Sequence, residues 1–246
     1  MNQIKEIYEK KLENEWKSDL NVGQYSMGWL YLQRYFIDKD QMILDAGCGN
    51  GSYSYSVLEE GAKNVYAIDL FDKAPFEKEG FHYSKASIDK LPFENDFFDI
   101  IFAQSVIYYS SDCGKTIDEW KRVLKPGGII YISGHTKYSI YTLVRKIKLL
   151  LQFKSVEHLK GVKFFSTNYY KRLIKENGLK IIKIDGWGVR SVEFIFKCIS
   201  VLARVLHIQY KDPRKVISNN KIWCQLKSLI GYHFVIIAQK GIETND

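Results

Sequence analysis

Cysteine is scarce in this chain: four in 246 residues, at positions 48, 113, 198 and 224. No two have the short spacing of a zinc ligand pair, and the set forms no disulfide framework, which points to a reducing compartment, the cytosol. No run of 18 apolar residues occurs, so no membrane-spanning helix is expected. Met1 to Lys11 is charged and lacks the apolar stretch of a secretory leader, so none is expected. No acid occurs between His135 and Val156, and no internal repeat or low-complexity tract is present. What remains is 46% hydrophobic and 15% aromatic, enough for a sizeable core in one domain with an appended lid. The net charge of +8 reads either as a solvated lysine-rich surface or as attraction to an anionic partner.

The chain is organised around Met42 to Ser54. Ile43 and Leu44 run into Asp45, and glycines follow at 47, 49 and 51, with Cys48 between the first two. This is the pattern of a buried strand, a tight turn and a helix start. Glycine supplies positive φ and lets the backbone touch a ligand. The spacing is Gly-x-Gly-x-Gly. It differs from the Gly-x-Gly-x-x-Gly of a dinucleotide turn, and no Gly-Lys-Ser/Thr of a phosphate loop follows.

The segment resembles the first motif of class I S-adenosylmethionine (SAM)-dependent methyltransferases. Three further landmarks fit in order. Asn64 to Asp69 resembles the second strand, ending in the acid that holds the ribose hydroxyls. Leu91-Pro92-Phe93 with Phe97-Phe98-Asp99-Ile100-Ile101 resembles the Leu-Pro-Phe…Phe-Asp signature. Arg122 to Gly128 resembles the Leu-Lys-Pro-Gly-Gly turn before strand five. The likeness covers about 40–135 well, and 165–185 and 232–240 more loosely.

The resemblance implies an α/β fold: a Rossmann-like, doubly wound, seven-stranded and mostly parallel sheet whose last strand is antiparallel. A helical N-terminal lid is expected over 1–38 and the methyltransferase domain over 39–246. Helical insertions on the substrate side are expected after strands five and six, at about 136–163 and 187–231. Strands are expected at Met42 to Asp45, Asn64 to Leu70, Phe81 to Ser87, Phe97 to Gln104, Ile129 to Ser133, Leu179 to Asp185 and Tyr232 to Ala238. Between Asp69 and strand three, Pro75 and Gly80 leave room for a second helix of at most a couple of turns.

The same resemblance assigns the cofactor, SAM. Asp45, Gly47, Cys48, Gly49 and Gly51 cradle its methionyl end, Asp69 takes both ribose hydroxyls, and Leu70 flanks the adenine. Ser87 stands where the family often has an acid for the adenine amino group, with Ile88 against the ring and Asp89 as a second choice. Gln104 lies at the carboxyl end of strand four, where open α/β sheets bind ligands.

Two helices set the acceptor side apart. Lys137 to Lys154, projected at about 100° per residue, places Ile140, Leu143, Val144, Ile147, Leu150 and Leu151 in an arc of roughly 120°. Lys137, Tyr141, Arg145, Lys148 and Gln152 lie opposite. Such a basic amphipathic helix either packs on the sheet with its lysines in water or meets a membrane surface or lipid-like anion. Arg190 to Ile208 confines its charges to roughly 60° and needs an apolar cover.

Methyl transfer from a sulfonium needs alignment and a dry pocket more than a strong acid. His135, beside strand five, is a candidate base or substrate-orienting group. Tyr109 takes the position of a histidine common in the family, beside Tyr108. Tyr25 and Trp29 are candidate lid contacts, against plain packing of Trp29, and His233 reads as packing. No Asn/Asp-Pro-Pro-Tyr/Phe segment follows strand four and no Pro-Cys nucleophile occurs, which argues against a nucleic-acid acceptor. The leading reading is a SAM-dependent methyltransferase acting on an O or N atom of a small molecule. The apolar insertion points to an amphipathic or lipid-linked acceptor and to peripheral membrane contact of a cytoplasmic protein. A nucleotide-dependent oxidoreductase on a similar sheet, or a non-catalytic cofactor-binding scaffold, are the alternatives.

Overall fold

Side chains alternate across a strand, so the apolar pattern decides which face each residue serves. The computed structural model describes Tyr35 and residues 38–138, 140–151, 162, 164–187 and 233–242. The strands are β1 (Met42–Ala46), β2 (Asn64–Asp69), β3 (Phe81–Lys85), β4 (Phe98–Gln104), β5 (Leu124–His135), β6 (Lys180–Trp187) and β7 (His233–Gln239). They form one sheet in the order β3-β2-β1-β4-β5-β7-β6. β1 to β5 pair in parallel, and β7 is antiparallel to both β5 and β6. The doubly wound seven-stranded sheet expected from the sequence is therefore present. The strand order reverses between β1 and β4, the switch point where doubly wound sheets bind ligands.

Helices α1 (Ser52–Glu59), α2 (Cys113–Val123), α3 (Ile140–Leu150) and α4 (Thr167–Glu176), with a 3-10 turn at Ile107–Tyr109, complete the described elements. Ile43, Val65, Ile100, Phe102 and Tyr131 pack with Val57 and Leu58 of α1 on one face. Leu44, Ile68, Ile101, Ile130 and Phe234 pack on the other with Trp120 of α2 and Tyr170 of α4. Covering both faces is what a parallel sheet requires. Trp120 is fully buried, and its Nε1 donates to the Ile88 carbonyl at 3.1 Å, so its one polar atom is satisfied.

Two sequence landmarks turn out to hold the fold rather than perform chemistry. The Arg122 guanidinium donates to the Leu91 and Phe93 carbonyls at 3.2 and 2.8 Å. Its partner Glu119 accepts from the Leu91 N–H at 2.8 Å and from Arg122 itself. The Leu-Pro-Phe segment is thus clamped onto α2. Asp99 accepts from Lys125 Nζ at 2.9 Å and from the Met42 N–H at 2.8 Å. It joins the starts of β1, β4 and β5, at the edge of the sheet away from the strands' carboxyl ends. Asp99→Ala leaves the Met42 N–H without its charged acceptor and is expected to cost roughly 1–2 kcal/mol of stability. Urea unfolding checks this.

Some boundaries differ from expectation. β5 starts at Leu124, five residues before Ile129, because Leu124 already pairs with Phe98. The register then shifts so that Ile129 pairs with Ile100, and the Lys-Pro-Gly-Gly turn becomes a bulge. Gly127 and Gly128 in it exchange hydrogen bonds with Lys240. β5 also runs on to His135, which is therefore a strand residue. Residues 70–80 contain no helix; Pro75 lacks an N–H to donate.

The largest correction concerns α3. Packing of its whole apolar arc on the sheet fails: Leu143, Ile147 and Leu150 are exposed, as is Leu151 just beyond. Thr142 is buried and Arg145 half-buried. Thr142 donates to the Thr136 carbonyl at 2.6 Å, and Arg145 reaches His135; these contacts turn the polar side inward. The 1–38 lid apart from Tyr35 and Asp38, its contacts Tyr25 and Trp29, and the Arg190 to Ile208 helix lie outside the described residues.

Candidate active site

Asp45 is the next-to-last residue of β1 and lies 4% exposed beneath the glycine turn. Its Oδ2 accepts from the Ser54 hydroxyl of α1 at 2.7 Å. Burial, opposed by that hydrogen bond and reinforced by the nearby Asp69, pushes its carboxyl up to about 7. The turn is pinned by the Gly47 and Cys48 N–H groups, which donate to the Ile68 carbonyl at 2.9 and 3.0 Å. Cys48 is buried, and burial pushes its thiol well up, which fits a small space-filling side chain.

Gly49 is the point of close approach. It has φ +56°, and a Cβ added there would meet nothing within 4 Å. That open space above a positive-φ backbone is where a ligand can touch the main chain. The Gly49 N–H donates to Asp69 Oδ2 at 2.8 Å, and the Leu70 N–H to Asp69 Oδ1 at 2.7 Å. Each carboxylate oxygen has a second lone-pair direction remaining. Asp69 is therefore oriented by the backbone and still able to accept two ligand hydroxyls. Burial raises its carboxyl above the usual range.

The Ala86 N–H donates to the Asp69 carbonyl at 2.9 Å, which puts Ser87 and Ile88 directly beyond Asp69. Ser87 Oγ accepts from the Asp89 N–H at 3.2 Å, while Ile88 is buried and Leu70 is exposed. Asp89 is committed elsewhere: its Oδ1 accepts from Thr116 at 2.6 Å and its Oδ2 from Ser111 at 2.9 Å. It ties the start of α2 to the strand-three loop, which leaves Ser87 and Ile88 as the expected adenine-side pair. At the switch point, Gln104 Oε1 accepts from the Tyr131 and Ser133 hydroxyls at 2.9 and 2.7 Å. With its carbonyl so used, Gln104 presents its amide N–H groups, Nε2 being 3.5 Å from Ser105 Oγ.

Beyond Gln104 lies an aromatic and imidazole cluster. The β5–β7 register places His135 opposite His233, with ring centroids 4.3 Å apart. Tyr108 lies 5.5 Å from His135 and 4.8 Å from Tyr109, ring to ring. Phe164 closes the group, 5.3 Å from Tyr108 and 5.8 Å from His135. Arg145 Nη1 stands 3.5 Å from His135 Nε2, and His233 Nδ1 is 3.4 Å from Ser105 Oγ. Burial, helped by the Arg145 charge, pushes the His233 imidazole down to about 3. It stays neutral at every physiological pH and so serves as a hydrogen-bonding group rather than a base.

His135, Tyr108 and Tyr109 are thus brought together. His233, read from the sequence as packing, and Arg145, on the polar side of its helix, join this cluster. The signal for His233 was its position at the start of an antiparallel last strand, which returns it to the carboxyl edge beside His135.

Asp45 gives the site a pH dependence. The resemblance sets this carboxylate at the cofactor's amino group, directly or through a water, and on that expectation affinity rises as Asp45 loses its proton. Between about pH 5.5 and 7 the expected gain is roughly tenfold; above that range the α-amino group itself, with a pKa of about 7.7–8.0, begins to lose its charge. Calorimetry across that range, with Asp45→Asn giving a flat profile, checks it.

Residues 44–132 match the family described as Methyltransferase domain. Among curated proteins, the malonyl-[acyl-carrier protein] O-methyltransferase of Serratia marcescens is 36% identical over 97 residues, covering 38% of this chain and 38% of that protein. The tRNA U34 carboxymethyltransferase of Aliarcobacter butzleri is 29% identical over 137 residues, covering 51% and 42%. The chain therefore spans about two fifths of the length of these relatives. A SAM-dependent methyltransferase of Thermotoga maritima has the same fold, with a TM-score of 0.62 at 18% identity, over 98% of this chain and 100% of that one. Residues 44–132 thus carry a methyltransferase domain, and the strand order and glycine turn described above are those of the fold that this chain shares with SAM-dependent methyltransferases.

Proposed function

We propose that this protein transfers a methyl group from SAM to an oxygen or nitrogen atom of a small-molecule acceptor. The observation that carries the reading is the Gly49–Asp69 arrangement: open space over a positive-φ glycine, beside a carboxylate fixed by two backbone N–H groups. Bound SAM supplies an electrophilic methyl group on a sulfonium whose charge disappears in the reaction. Gly49 and Asp45 hold the methionyl end, Asp69 the ribose, and Ser87, Ile88 and Leu70 flank the adenine. Gln104 marks the passage from cofactor to acceptor.

The acceptor's lone pair forms the new bond to carbon as the carbon–sulfur bond breaks, and the acceptor's proton must leave. His135 is the group to receive it, with Tyr108 and Tyr109 orienting the acceptor. Neutral His233 and Ser105 support the arrangement from behind. Buried Tyr108, with half-buried Tyr109 and Phe164 beside it, limits water at the site, which strengthens alignment and disfavours water as a competing acceptor.

Two kinds of acceptor compete. The curated relatives are named for a malonyl-[acyl-carrier protein] and for tRNA U34. The family match ends at residue 132, before His135 and the acceptor side, and the two relatives match 51% and 38% of this chain. Incubating the protein with methyl-labelled SAM and separated cell fractions tests the reading. Label in solvent-extractable small molecules supports it. Label confined to RNA, or none transferred to any fraction, contradicts it.

A peripheral contact with anionic membrane accompanies this reading. Leu143, Ile147, Leu150 and Leu151 are exposed on and just beyond α3, with Lys146 among them and no acid between His135 and Val156. An amphipathic helix of that kind inserts its apolar side at the headgroup boundary. Among the described residues no helix is long and apolar enough to cross a membrane. Flotation with anionic liposomes at low salt is expected, and placing two charges on the apolar side with the pair Ile147→Asp and Leu150→Asp is expected to abolish it.

A further inference from the structure

The side of α3 that carries Arg145, Lys146 and Leu149 borders an open pocket of about 350 Å³, within the range of small-molecule sites. Lys137, Arg145 and Lys146 supply cations to its wall, and Leu149, Val162 and Phe164 supply apolar surface. None of the residues lining it is acidic. Neither Lys137 nor Lys146 forms an ion pair among the described residues, and Lys137 Nζ lies 5.5 Å from the Tyr138 ring centroid. A lining with three cationic side chains and no acid favours an anionic ligand.

Two of the lining residues also belong to the acceptor cluster. Arg145 stands 3.5 Å from His135 Nε2, and the Phe164 ring is 5.8 Å from that of His135 and 5.3 Å from Tyr108. The cavity is therefore the next chamber beyond the candidate base.

We propose that this cavity receives an anionic group of the acceptor, a carboxylate or a phosphate, held by Lys137, Arg145 and Lys146 while the acceptor's apolar part lies on Leu149, Val162 and Phe164. The assignment rests on the methyltransferase reading for its role, since it makes the cavity the specificity-determining part of the acceptor site. Arg145 presents a planar fork suited to either oxyanion. The two lysines, exposed at the rim, act as point charges that draw the ligand in. A neutral or cationic molecule of the same shape gains the apolar contact alone.

The test uses the full chain loaded with S-adenosylhomocysteine and three probes: octanoate, octyl phosphate and octanol. Calorimetry is expected to give at least tenfold tighter binding of an anion than of octanol. Tighter octanoate assigns a carboxylate acceptor, and tighter octyl phosphate a phosphate-bearing one. The double variant Lys137→Gln with Lys146→Gln is expected to weaken the anions at least tenfold while octanol and S-adenosylhomocysteine bind as before. Octanol binding as tightly as both anions, or anion affinities unmoved in the double variant, overturns the proposal. With S-adenosylhomocysteine binding intact, that result leaves the methyltransferase reading standing. Loss of anion discrimination and loss of S-adenosylhomocysteine binding are separate readouts: absent cofactor binding with intact anion selectivity removes the methyltransferase reading and keeps the anion site.

Discussion

Replacing Asp69 with alanine is expected to weaken SAM binding by roughly 30- to 1,000-fold, or about 2–4 kcal/mol. The carboxylate accepts from the Gly49 and Leu70 N–H groups at 2.8 and 2.7 Å, so it is already aimed before a ligand arrives. Two charge-assisted hydrogen bonds to ribose hydroxyls go with it, and the Gly49 N–H loses the acceptor that holds the turn. Asp69→Asn separates the two effects. It keeps one carbonyl oxygen and the side-chain volume, so it is expected to retain more of the turn while losing acceptor capacity toward the ribose. Calorimetric titration of both variants measures the affinities, and thermal unfolding without ligand reports the turn. Unchanged affinity in Asp69→Ala would place the ribose elsewhere.

Gly47→Ala is expected to cost about 2–5 kcal/mol of stability and to remove measurable SAM binding. Gly47 has φ +76°, and a Cβ built there lies 2.4 Å from Val106 Cγ2 and 3.0 Å from its Cβ. The left-handed backbone alone costs an alanine roughly 1–2 kcal/mol, and forcing a methyl group into a filled space typically adds about 1–3 kcal/mol. Val106 follows Gln104 and Ser105 directly, so the clash reaches the switch point as well as the turn. Adding Val106→Ala is expected to restore the overpacking part and leave the conformational part. Urea unfolding of the single and double variants tells them apart: an equal loss in both would mean that strain, not crowding, sets the cost.

The cofactor side was legible because its determinants are local. Asp45, the three glycines and the helix start at Ser52 lie within eight residues, and each is required by the geometry of one strand-to-helix turn. Asp69 ends a short apolar strand and meets that turn through the adjacent pairing of β1 and β2. The two later landmarks were also legible, although their work is mechanical. Arg122 reaches back to Leu91 and Phe93, and Asp99 ties Lys125 to Met42.

The acceptor side was harder to read because its contacts span long separations. His135 meets His233 only through the antiparallel register of β5 and β7, after nearly a hundred intervening residues. A histidine in an apolar strand looks like packing until its neighbour is known. The direction of α3 stays open in the sequence for a different reason. Its apolar arc is clear in the sequence, but periodicity gives the width of a face and not its direction. The Arg145–His135 approach and the Thr142 hydrogen bond turn that face outward, against the usual hydrophobic preference. The short connection after Asp69 was read correctly as leaving little room for a helix, since Pro75 and Gly80 both oppose one.

The central claim is that the glycine turn and Asp69 form a SAM site, and calorimetric titration of the purified chain with SAM and S-adenosylhomocysteine tests it most directly. Binding of both at micromolar levels, with affinity rising between about pH 5.5 and 7 as Asp45 ionises, is the predicted result. Binding of NAD(H) with no heat from either SAM or S-adenosylhomocysteine would contradict the account and return the site to nucleotide-dependent redox chemistry.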